Sequence, residues 1–101
     1  MLAFMYHQGM GTERDYEQAA KWLQKASQQG YSEAQCFYGL MYFRGQGVPR
    51  DYRQAYFWLS VSVANGFLDA IRYRNAVSTH LTPDGADQVN KAVATSGLVD
   101  R

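Results

Sequence analysis

The sequence predicts an all-α chain, an α/α solenoid of antiparallel helix pairs, on three observations. Informative residues recur 36 positions apart: Gly9 and Gly45, Gly11 and Gly47, Asp15 and Asp51, Trp22 and Trp58, Leu23 and Leu59, Gly30 and Gly66. A fixed period of this size marks stacked supersecondary units. Within each unit apolar residues return at three- and four-residue steps, as on one buried helix face, and no stretch alternates as a strand does. Turn and cap residues fall where those helical stretches must stop and start.

The elements follow in order. Residues 1–30 form a shortened first unit, because Met1 aligns with Phe37 and the opening helix is reduced to "MLAFMYHQ". Its second helix is expected from Asp15, with Gln18 three residues on, to a stop at Gly30. That helix would bury Tyr16, Ala19, Ala20, Leu23 and Ala26. Residues 31–66 form a full unit. Ser32 followed by Gln35 predicts a capping box for its first helix, whose inward face is Ala34, Phe37, Tyr38 and Met41 and whose end is Gly45. Asp51 with Gln54 opens the second helix, which buries Tyr52, Ala55, Tyr56, Leu59 and Val63 and stops at Gly66. Residues 67–101 supply one more helix and a capping helix, with Thr82 as N-cap and Pro83 in the first helical position. The three segments make one domain.

Two residue choices speak to packing. A mid-helix glycine costs about 1 kcal/mol relative to alanine, so Gly39 predicts a neighbouring helix in close approach, with Ala19 and Ala55 as small counterparts. Trp22 and Trp58 are large enough to fill the gap between successive helix pairs.

The loop "GQGVP" could be read as a phosphate cradle. Such a site needs its glycines after a strand and before a helix, and here they join two helices. The turn reading prevails: Gly45 stops a helix, Gly47 turns the chain, Pro49 stiffens it and Asp51 starts the next helix.

Composition narrows function. Ten basic and nine acidic residues leave a formal charge of +1, which gives no electrostatic footprint for nucleic acid. No apolar run approaches the roughly 18 residues that membrane insertion requires. The single Cys36 excludes an internal disulfide, and no Cys/His group has zinc-ligand spacing. No cofactor or metal is therefore expected. The lone cysteine and the absence of a visible signal peptide favour a cytoplasmic location, with a periplasmic or secreted one open should the chain be part of a longer protein.

The stretch Ala34-x-x-x-Tyr38-Gly39-x-x-Tyr42-x-x-Gly45-x-Gly47-Val48-x-x-Asp51-x-x-x-Ala55-x-x-Trp58-Leu59, ending at Gly66, resembles the Sel1-like repeat, a relative of the tetratricopeptide repeat. The first copy is similar from Met5 to Gly30, and the segment from Arg72 resembles the helices that close such arrays. Tyr38 stands where leucine is usual, and Thr12 and Glu13 replace the Val48 and Pro49 of the second copy. The resemblance implies an adaptor that holds a partner protein or peptide and carries no catalysis. In the related tetratricopeptide repeats first helices line a concave groove. Aligned on Tyr38 and Gly39, the groove positions become Glu33, Cys36, Leu40, Phe43 and Arg44. One period earlier they are Phe4, His7 and Gln8; one period later, Asp69, Arg72, Ala76, Thr79 and His80.

These positions also lie opposite the core face read from periodicity. Leu40 and Phe43 are thus apolar residues that the repeat's own core does not require; they face a partner or pack on an adjacent helix. Two other readings remain. One is self-association through the N-terminal edge, with Phe4, Tyr16 and Ala20 as contacts, or its burial under further repeats of a longer array. The other is a hydrolase using Cys36 with a histidine.

Overall fold

The computed structural model describes residues 13–99. Five α-helices run through them: α1 Glu13–Gln28, α2 Ser32–Arg44, α3 Tyr52–Ala64, α4 Ala70–Ser78 and α5 Pro83–Thr95. Among the described residues there is no strand. The chain is already helical at Glu13, ahead of the start expected at Asp15. α2 lies against α1 and α3, and α3 also packs on α4 and α5.

The sequence period is a period of the backbone. Gly30 N–H donates to Ser27 O at 3.1 Å and Gly66 N–H to Val63 O at 2.9 Å. Tyr31 N–H donates to Ala26 O at 3.3 Å, and Phe67 N–H to Ser62 O at 3.0 Å. These are the same bonds one repeat apart, and Gly30 and Gly66 share φ values of 97° and 102°. α1 and α3 are therefore equivalent helices that end alike.

Most caps stand where the sequence placed them. Asp51 Oδ1 accepts from the N–H groups of Arg53 and Gln54 at 3.0 and 3.1 Å. Thr82 Oγ1 accepts from Gly85 N–H at 3.0 Å, with Pro83 first in the helix. Gly45, at φ 69°, donates its N–H to Met41 O, and Asp51 N–H closes the loop onto Tyr42 O at 3.1 Å. A Cβ on Gly47 (φ 76°) would run into the Tyr16 carbonyl of α1, so the second glycine lets the loop lie on the preceding helix. Residues 9–12 of the equivalent first loop lie outside the described residues.

The capping box at Ser32 does not form. The N-cap is Tyr31, without a side-chain bond, and Gln35 is wholly buried. Its Nε2 donates to Ser27 O at the end of α1. Its Oε1 accepts from Asn65 Nδ2 at the end of α3, which also donates to Leu98 O at 2.8 Å. Ser32 contributes its carbonyl, which accepts from Ser62 Oγ at 2.7 Å. Ser27 O already accepts from Gly30 N–H, so the Gln35 amide is its second donor, and tying three helices and the C-terminal segment together outweighs one exposed cap.

At Gly39 α2 and α3 pack tightly. A Cβ there would stand 2.9 Å from Leu59 Cγ and 3.1 Å from Ala55 O, as expected for a helix admitted by a missing side chain. Trp58 is buried against Tyr38, at a centroid distance of 5.2 Å, and Phe57, at 5.1 Å. Trp22 departs from expectation: it is 46% exposed where Trp58 is 7% exposed.

Candidate partner-binding face

The helices form two layers. α2 and α4 run side by side in the same sense: Glu33 and Asp69, near their N-terminal ends, both act on Cys36, and Phe43, in the last turn of α2, meets His80 just past the end of α4. α3 and α5 are likewise parallel in the other layer. Arg53 lies beside Gly85 at their starts, and Asn65 bonds Leu98 at their ends. The sequence-derived groove positions therefore fall on the α2/α4 layer.

Their burial divides them. Glu33, Arg44, Asp69, Arg72, Ala76, Thr79 and His80 are exposed, and Phe43 is half-buried. Cys36 and Leu40 are 1% and 2% exposed, packed with Ala55, Leu59, Ala70 and Val77. They are core residues and form no part of a surface groove. A helix between two neighbours buries two faces, so the face opposite α1 meets α3 and α4 instead of solvent. Phe4, His7 and Gln8 lie outside the described residues. Ala20, proposed for an open N-terminal edge, is 5% exposed and belongs to the cluster of Leu23, Tyr38 and Trp58.

One end of the face carries an aromatic cluster that the sequence showed only in part. The His80 imidazole stacks on Tyr52 at 4.3 Å and 12°, with Phe43 5.8 Å from both rings. Arg50 Nη1 donates to the Tyr52 hydroxyl at 3.4 Å. Arg44 thus stands at an aromatic end beside His80, while Glu33 and Asp69 mark an acidic one. On α2 this polarity matches the helix dipole, with Glu33 in the first turn and Arg44 in the last. Arg72 is exposed, its guanidinium 5.4 Å from the Tyr73 ring centre.

The Cys36 thiol is a poor nucleophile. Burial, then the carboxylates of Asp69 and Glu33, push its pKa up to about 12. A reactive cysteine needs the opposite surroundings, exposed and electropositive. His80 stacks near Phe43, seven residues beyond Cys36 on α2, about 10 Å at the helical rise. Among the described residues no three His, Cys, Asp or Glu side chains come together as metal ligands, and no helix is long and apolar enough to cross a membrane.

Comparison with known proteins supplies the family. The Sel1 repeat model matches twice, at residues 1–31 and 32–67. The chain belongs to the Sel1 repeat family. Its Sel1 repeats are similar in structure to a protective antigen present in uropathogenic Escherichia coli strains, whose crystal structure displays an SLR fold. The TM-score is 0.80 at 36% identity, over 91% of this chain and 20% of that one. The chain thus spans a minor part of that protein's length. No curated protein matches it.

Proposed function

We propose that the chain is a protein-interaction module, an adaptor or scaffold whose α2/α4 face holds a partner protein or peptide and which performs no chemistry itself. The observation that carries this reading is the division of that face: a row of exposed polar side chains, Glu33, Asp69, Arg72, Thr79 and His80, on a layer whose apolar residues are already spent on the core. Charged groups that the fold does not bury are free to set the orientation and selectivity of a partner. The half-buried aromatics Phe43 and Tyr52 beside His80 offer the amphipathic, rigid contact area typical of interface anchors. The buried, acid-flanked thiol argues against the hydrolase alternative.

The test is a double substitution of exposed residues, Arg72→Glu with Thr79→Arg. Neither side chain is buried, so the melting temperature should hold while capture of the partner from the native source is lost. Unchanged capture would refute the assignment of the face.

A further inference from the structure

The α2/α4 face carries its charges in a fixed order. Glu33 and Arg44 are both exposed on α2. They are eleven residues apart, three helical turns and about 16 Å, so they stand on one stripe of that helix. One period on, Asp69 and His80 hold the matching places at the two ends of α4, again exposed. Both carboxylates act on the Cys36 thiol, which places them together at one end. At the other end Arg50 joins Arg44: its Nη1 donates to the Tyr52 hydroxyl at 3.4 Å, and Tyr52 stacks on His80. Asp51 beside it spends its Oδ1 on two N–H groups of α3. Arg72, three residues after Asp69, lies over the Tyr73 ring. The half-buried rings of Phe43 and Tyr73, one from each helix, pack on the core that holds Cys36 and Leu40, and give the face apolar ground beside its charges.

On the reading that the α2/α4 face holds the partner, we propose that it takes a partner helix with an acidic and a basic side chain eleven residues apart on one side, the acid over Arg44 and Arg50 and the base over Glu33 and Asp69. Spacing selects the helix. Eleven residues bring a helix back to the same side after about 16 Å, the separation of Glu33 from Arg44. An extended strand covers that distance in about five residues, an odd number, and so turns its two charges to opposite sides. Opposite charge at both ends also sets the register, because a helix that slides by one turn loses both matches at once.

The probe is a synthetic sixteen-residue peptide, held helical by a lactam staple on its far side, with glutamate at its third position, leucine at the seventh and tenth, and lysine at the fourteenth. These four positions share one side of the helix. Fluorescence anisotropy of the labelled peptide against the full chain gives its affinity. A control of the same composition carries the lysine at the twelfth position, on the opposite side, and should bind about fivefold more weakly, the scale of exposed ion pairs. In the Arg44→Glu protein the first peptide should lose a similar factor. A peptide with lysine in place of its glutamate should bind that protein more tightly than it binds the parent, a gain that an unfolded chain could not produce. Equal binding of the first peptide and its control overturns the proposal, as does no binding by either, or an affinity that ignores Arg44→Glu. Those failures leave the face itself standing; it falls only if the Arg72→Glu/Thr79→Arg protein still captures its partner.

Discussion

Replacing Gly39 with alanine tests the central contact of the fold, because two effects of opposite sign meet there. In an isolated helix the change should stabilise by about 1 kcal/mol, since glycine is the poorer helix former. Here the new methyl carbon would stand 2.9 Å from Leu59 Cγ, 3.1 Å from Ala55 O and 3.2 Å from Leu59 N. Ordinary contact between such atoms needs about 3.5–4.0 Å. Two of the three opposing atoms are α3 backbone, and Leu59 is 0% exposed, so no flexible side chain can yield. α2 and α3 must part, and overpacking of this kind costs about 1–3 kcal/mol. Subtracting the propensity gain leaves a net loss of about 1 kcal/mol, which should lower the melting temperature by roughly 4–8 °C in a domain of this size. Urea titration followed by circular dichroism measures it. Gly39→Leu should be worse, and trimming the neighbour in a Gly39→Ala/Leu59→Val double variant should give a less than additive loss. A Gly39→Ala protein as stable as the parent, or more so, would refute the close packing of α2 on α3.

Further outcomes follow from the same geometry. Trp58→Ala should cost about 3–5 kcal/mol, while Trp22→Ala, at a half-exposed site, should cost well under half as much; thermal melts of the two proteins compare them directly. Gln35→Ala should destabilise by about 1–3 kcal/mol, because two hydrogen bonds, to Ser27 O and from Asn65 Nδ2, are lost. Chemical denaturation should show the change with an unaltered urea dependence. Burial holds the proton on Cys36, raised to about 12, and on Tyr38, also raised, in the folded chain. The unfolded chain releases these protons at lower pH, so stability should be full below about pH 9 and fall as pH rises beyond the ordinary thiol value. Denaturation midpoints from pH 7 to 10.5 check this, and Cys36→Ala should remove part of the slope.

Much of this molecule was legible in the sequence because its repeat is written in cap and turn residues. Asp51, Thr82 and Gly45 act locally, through backbone groups two to four residues away, so local reading found them. Cys36, Leu40 and Gln35 were misplaced for the opposite reason. Their partners lie on other helices, and a periodic stripe reports one buried face where α2 has two. The available signal was the uncharged run from Ala34 to Phe43, since a helix without a polar side is buried all round. Trp22 and Trp58 occupy the same place in the period yet differ in exposure. Burial depends on the neighbouring layer, which one repeat's sequence cannot report. The Tyr52–His80 stack was likewise hidden, because it joins the start of one helix to the end of another across 28 residues of chain.

Site-specific photo-crosslinking tests most directly whether the α2/α4 face holds a partner. A benzophenone amino acid is placed at Thr79 on that face and, separately, at Lys91 on α5 in the other layer, both exposed positions. In the native host, Thr79 should yield a discrete crosslinked species with one protein, competed away by the unlabelled chain, and Lys91 should yield none. A discrete, competable crosslink from Lys91 with nothing from Thr79 would place the partner on the opposite layer and contradict the account.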